Sequence, residues 1–292
     1  MKELFVSHLD LKLCVQTFGK STDAAIVLIT GAAGQGILWN KTLCKNLSKA
    51  GYFVIRFDHR DTGLSSGLDF NKTPYNLKDM ADDVVAILDN FHIQKAHIVG
   101  MSMGGYIAQK LAIYYPERIL TITLLMTTIN SLAMRGIRGI HNLPGQDLEV
   151  VKQLAAMYQI PRLTLEDRVK ALADTWKLFN GVEVDFLYDE WYQLAEESYA
   201  RAKTKNAVRN HRAAVLNSPA DRTEILQNII LPPTLILHGK ADPIIQVAHA
   251  YYGHKQLPQA KLVVIEKMGH ILSSTFIKQI EDALLEHFES KD

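Results

Sequence analysis

Apolar and polar positions along this chain alternate between two textures. Short, nearly continuous apolar runs at residues 25–30, 52–57, 96–99 and 119–126 have the length and β-branched character of strands buried on both faces. Between them lie segments of helical type at 38–47, 77–91 and 107–113. In the second of these, Leu77, Met80, Ala81, Val84, Val85, Leu88 and Phe91 recur at three-and-four spacing and make one apolar face. Residues 3–8 and 11–18 alternate and are rich in Val, Phe and Leu, with His8-Leu9-Asp10 between them, which predicts an antiparallel hairpin. The pattern then changes. From about 131 to 219 there is no buried-strand run, only helical stretches near 147–159, 164–179 and 186–216. Strand–helix alternation resumes at 233–238, 245–254, 261–266 and 275–288. The prediction is an α/β fold with a doubly wound, mostly parallel sheet, its core made of 1–130 and 220–292 and a helical cap inserted at 131–219.

Composition changes this picture little. The chain has 292 residues, 48% hydrophobic and 22% charged, the mixture of an ordinary globular protein that can bury a large core. A formal net charge of +1 gives no field to draw nucleic acid or a membrane surface. Cys14 and Cys44 are too few for a disulfide framework and fit a reducing compartment. No secretory h-region follows Met1, and no apolar run reaches the length of a membrane span. The expectation is a cytoplasmic monomer or homodimer acting on a small molecule, with no cofactor and no metal.

The candidate chemistry begins at Gly100-Met101-Ser102-Met103-Gly104-Gly105, between a strand-type run and a helix. A strand that reverses into a helix in so few residues forces its central residue into strained geometry. The flanking glycines remove the side chains that would collide, and the hydroxyl stands at a helix N-terminus, where free N–H groups favour negative charge. Such a pattern also arises by chance, so its partners decide. Asp242 follows the predicted strand 233–238 and His270 follows 261–266. In an open parallel sheet reactive groups gather past the carboxyl ends of the strands. Ser102, Asp242 and His270 therefore form a candidate catalytic set, in the chain order Ser…Asp…His. Between Glu117 and Asp147 no Asp or Glu occurs, so Asp242 has no competitor after the strand preceding the cap. An oxyanion would need two N–H donors, assigned to Met103 and, in the turn after 25–30, to Ala32.

These motifs together resemble the capped α/β-hydrolases. Gly-Met-Ser-Met-Gly-Gly is similar to the elbow of small esterases and cofactor-free haloperoxidases. Asp58-His59-Arg60-Asp61-Thr62-Gly63-Leu64-Ser65 resembles the Arg-x-x-Gly-x-Ser loop of the anthracycline methylesterases. The resemblance implies a Ser102–Asp242–His270 triad with Ala32 and Met103 as oxyanion donors, hence a carboxylic ester hydrolase working through an acyl-enzyme. One departure stands out: Thr30-Gly31 occupies the place of the family's usual His-Gly. The 58–66 loop is expected to brace the site through Arg60 and Asp61 rather than to touch substrate.

Two other readings compete. Thr30-Gly31-Ala32-Ala33-Gly34-Gln35-Gly36, with Asp58 past the next strand and Tyr106-x-x-x-Lys110, looks like a short-chain NAD(P)-dependent dehydrogenase. Against it, Ile37 replaces the third glycine of the fingerprint, a hairpin precedes the turn, and Tyr106 comes too early. A hydrolase fold serving as a non-catalytic binding module is the other. Near the serine, Trp39, Met101, Met103, Ile244 and Ile271 are expected to line an apolar substrate pocket. In the cap, aromatics are expected in the core, and the charges between Glu183 and Arg212 on solvated helix faces with ion pairs. Residues 130–146, with Gly136, Gly139, Gly145 and an apolar series, suggest a mobile lid.

Overall fold

A computed structural model describes residues 3–130, 132, 143–219 and 223–289. Its centre is an eight-stranded sheet: β1 (Glu3–His8), β2 (Leu11–Phe18), β3 (Ala24–Ile29), β4 (Tyr52–Phe57), β5 (Ala96–Met101), β6 (Ile119–Leu125), β7 (Thr234–Gly239) and β8 (Lys261–Ile265). The spatial order is β1-β2-β4-β3-β5-β6-β7-β8. β1 pairs with β2, and β2 with β4, antiparallel; every later pair is parallel. The sheet winds outward from β3 in one direction through β4 and in the other through β5. The crevice at this reversal opens past the ends of β3 and β5, where such sheets place their ligands.

Apolar residues cover both sheet faces. On one side α2 (Leu77–Asn90) and α3 (Met103–Tyr114) pack Met80, Val84, Ile107 and Leu111 onto Val27, Ile55 and Ile98. On the other, α1 (Lys41–Lys49) and the C-terminal helix Ile277–Phe288 pack Leu43, Leu47, Ile280 and Leu284 onto Ile26, Leu28 and Val99. The apolar run at 38–47 anticipated one helix, but the helix begins at Lys41. Asn40 caps it by accepting from Thr42 N at 2.7 Å, and a short 3-10 turn, Gly36–Leu38, precedes it.

Between β6 and β7 the described chain is helical: α4 (Leu148–Tyr158), α5 (Leu165–Leu178), α6 (Tyr188–Arg201), α7 (Ala207–Asn217) and the short α8 (Thr223–Gln227). The single stretch anticipated at 186–216 is two helices. Its break is docked on the 58–66 loop, where Lys203 N donates to Gly63 O at 3.0 Å and Lys203 Nζ to Leu64 O at 2.7 Å. The lid expected over 130–146 falls mainly on residues outside the described ones. Among the described residues no helix is long and apolar enough to cross a membrane.

Candidate active site

Ser102 sits between the end of β5 and the first residue of α3 with φ 54° and ψ −119°, a left-handed conformation for a residue with a side chain. Tight packing over-determines it. A Cβ on Gly100 would lie 2.2 Å from Gly104 O, and one on Gly104 would lie 2.3 Å from Ile29 O. The elbow is thus wedged between its own strand and the end of β3, and only glycine fits on either side of the serine. Ser102 N donates to Leu125 O at 2.9 Å, and Thr127 Oγ1 donates to Ser102 O at 2.8 Å, tying the turn to β6 and the segment after it.

The three residues singled out by the sequence meet in one hydrogen-bonded line. His270 Nδ1 lies 2.7 Å from Asp242 Oδ2, and His270 Nε2 lies 3.1 Å from Ser102 Oγ. A carboxylate only accepts, so Nδ1 carries the proton and Nε2 is left to accept from the serine hydroxyl. The other carboxylate oxygen, Asp242 Oδ1, accepts from Ile244 N and Ile245 N, both at 2.8 Å. Asp242 is buried, which by itself would raise its pKa. Its interactions with His270 and His238 outweigh burial and hold the carboxyl well below the usual carboxylate range.

The sequence reading missed His238. It is fully buried on β7, donates from Nε2 to Ile245 O at 2.7 Å, and places that nitrogen 3.4 Å from Asp242 Oδ2. Its spacing of four from Asp242 along a strand and turn carries no recognisable signal. The support of His270 was equally hidden: its N donates to Phe179 O at 2.7 Å, at the end of α5.

The expected oxyanion donors lie at the switch point. Met103 is the first residue of α3, so its amide has no intrahelical acceptor. Ala32 lies in the turn after β3, and its amide has no acceptor among the described residues. A Cβ on neighbouring Gly31 would come 3.2 Å from Ser102 Cβ and 3.6 Å from its Oγ, which fixes how closely this turn approaches the serine. Thr30, where the family's histidine usually stands, uses its hydroxyl to close the turn by donating to Gly34 O at 3.1 Å.

The anticipated pocket needs correction. Trp39 is completely buried among Leu43, Leu47 and Leu28, with no surface left to meet a substrate. It closes the 3-10 turn Gly36–Leu38 and packs between α1 and the central strands β3 and β5. Met103 is also a core side chain, packed with Ile107 and Ile29, which leaves only its amide as a candidate for the site. Met101 and Ile271 are nearly buried and Ile244 half-buried. A cavity of about 260 Å³ opens between Ile37, Leu38 and Leu272 of the core and Trp191, Leu194 and Glu197 of α6. None of Met101, Ile244 and Ile271 lines it.

The 58–66 loop is a brace. Arg60 Nε and Nη2 donate to the two oxygens of Asp83 at 2.7 and 2.8 Å, a buried fork onto α2. Ser65 Oγ accepts from Cys14 N at 2.8 Å and donates to Asp58 O at 2.7 Å. Asp58, the ribose-binding acid of the dehydrogenase reading, accepts from Gly36 N at 2.8 Å and from Arg201 Nη2 at 2.8 Å, so both its oxygens are engaged. Arg201 also pairs with Glu3; ion pairing is expected of the cap's charges, but this side chain is largely buried rather than on a solvated face, and it joins α6 to β1 and the 58–66 loop.

Comparison with known proteins agrees with this fold. A family model described as the alpha/beta hydrolase fold matches residues 24–275. The chain is 31% identical to rhodomycin D methylesterase DnrP of Streptomyces peucetius, over 98% of both chains. It is 31% identical to rhodomycin D methylesterase DauP of Streptomyces sp. (strain C5), over 95% of both. Among solved structures, an esterase from Exiguobacterium antarcticum superposes with a TM-score of 0.77 at 21% identity, covering 98% of this chain and 99% of that one. A bromoperoxidase from Bacillus anthracis superposes at 0.76 and 20% identity, over 99% of this chain and 100% of the other. With its sheet order, its elbow at the switch point and a match across most of its length, the chain belongs to the α/β-hydrolase family.

Proposed function

We propose that this protein is a serine esterase that hydrolyses a carboxylic ester through an acyl-enzyme on Ser102. The observation that carries the reading is the unbroken line Ser102 Oγ–His270 Nε2, His270 Nδ1–Asp242 Oδ2, starting from a serine in left-handed geometry. His270 takes the hydroxyl proton as Oγ attacks the acyl carbon, then delivers it to the departing alcohol. Asp242, ionised throughout, holds the imidazole tautomer and stabilises the imidazolium. The carbonyl oxygen gains charge between the amides of Ala32 and Met103, donors of a kind worth about 2.7–4 kcal/mol each. Water repeats the sequence on the acyl-enzyme with His270 as base. The helices of 131–219 act as the cap over the core of 1–130 and 220–292, and the substrate is a small molecule with an apolar acyl part. The names of the relatives at 31% identity favour a methyl ester.

The test is hydrolysis of p-nitrophenyl acyl esters of increasing chain length and of aromatic methyl esters, with a fluorophosphonate probe to mark the nucleophile. Ester turnover with the probe on Ser102 supports the reading. Label on Ser65 or Ser66 instead, or turnover only when a nicotinamide dinucleotide is added, would overturn it.

A further inference from the structure

The turn that carries Ala32 has no regular structure of its own, yet its orientation fixes one of the two oxyanion donors. What holds it comes largely from the helices of the insertion. Ala33, next to that donor and at φ 58°, donates its N–H to His211 Nδ1 at 2.9 Å. His211 lies on α7, is fully buried, and places Nε2 2.9 Å from Arg60 O. Because Nδ1 accepts, Nε2 bears the proton and donates; the ring is neutral and both nitrogens are used. A second buried imidazole supports the first: His59 packs edge-on against His211 at 5.7 Å and donates from Nε2 to Thr30 O at 3.1 Å. On the next helix, Ser198 O of α6 accepts from Gln35 Nε2 at 2.7 Å.

We infer that His211 is a positioning residue for ester hydrolysis: a neutral imidazole on a cap helix that sets the Ala33 amide, and through it aims the adjacent Ala32 N–H at the developing oxyanion. The inference rests on the serine-esterase reading. Its physical content is that an oxyanion donor must point at where charge will develop, and that displacement by about 1 Å costs on the order of 100-fold in rate. Where the family's usual histidine of the turn is replaced by Thr30, an imidazole reaching in from another element does the bracing. The ring stays neutral under acid conditions that protonate an ordinary histidine. Burial disfavours its charged form and the Arg60 guanidinium opposes it further, against the Arg60 carbonyl and Asp61, which favour it; His59 faces it as a second neutral ring.

The experiment uses three variants of the full chain, with kcat expressed per site that a fluorophosphonate labels at Ser102. His211→Asn puts Oδ1 where Nδ1 was and keeps an acceptor for Ala33 N–H. His211→Gln carries its polar atoms one bond further, towards the Arg60 carbonyl, and leaves Ala33 unmet. His211→Ala removes both bonds. The expected result is a fall in kcat per site of about 10- to 100-fold for Ala and Gln with KM within about twofold, and near wild-type kcat for Asn. Should Ala fail to fold, the contrast between Asn and Gln still decides. Equal kcat per labelled site in Asn and Gln would overturn the inference, because a purely structural loss lowers the number of competent sites and not their turnover. Absence of label on wild-type Ser102 would sink the serine-esterase reading and this inference with it, a result distinguishable from the first.

Discussion

Ser102 owes its reach towards His270 to a backbone angle. At φ 54° the side chain leaves the strand axis and meets the imidazole 3.1 Å away, while the helix begins beneath it. Ser65, the rival for a serine label, is buried with its hydroxyl already committed to Cys14 and Asp58. Ser102→Ala removes the proposed nucleophile and leaves the packing of Gly100 and Gly104 untouched. It is expected to lower kcat by about 10⁴-fold or more, with the melting temperature held. Residual turnover within tenfold of wild type, measured on a preparation free of other esterases, would mean that another group is the nucleophile.

At the scale of elements, the site depends on how closely α3 approaches β3. Gly104 lies against the carbonyls of Ile29 and Thr30, so a methyl group there would sit 2.3 and 2.5 Å from two backbone oxygens that cannot rotate away. Gly104→Ala must therefore push the helix off the sheet. We expect a loss of about 3 kcal/mol in urea unfolding, and a drop in kcat because Met103 N moves with the helix. A variant of unchanged stability would show that the elbow has slack. This part of the site was legible in the sequence, because glycine at two fixed offsets from a serine states a steric requirement. The strands were legible for a related reason: a run such as Ala25–Ile29 is buried on both faces and has no polar residue to confuse it. Helix starts were less so. Asn40 and not the apolar pattern sets where α1 begins, and the single run at 186–216 hid a break made by contact with a distant loop.

What the sequence could not reveal belongs to the whole molecule. His211, His238 and Arg201 reach the site region from elements far along the chain, and each looks alone like a residue of any helix or strand. His211 is one of several buried imidazoles that burial holds neutral. His59, His97, His211, His249 and His287 are all buried, and burial is the largest influence lowering each pKa. His59 falls to about 3 and His97 to about 4, from an ordinary 6.5. Each is neutral in the folded protein and free to protonate once unfolded, so between pH 6.5 and the folded value the unfolded chain binds more protons. Stability is then fully present above pH 6.5 and declines as pH falls towards 3–4, by about 1.4 kcal/mol per unit for each such group. Asp242, held low, loses its contribution only below the carboxylate range and does not act in this window. From pH 7 to pH 5, His59 and His97 alone should remove about 4 kcal/mol, a large share of the 5–15 kcal/mol typical of a native fold. Urea titrations at the two pH values measure it directly, and proton uptake on unfolding at pH 5.5 checks the mechanism. Equal unfolding free energies at pH 7 and 5 would mean that these imidazoles are charged in the folded protein, and the tautomers assigned around the oxyanion turn would go with them.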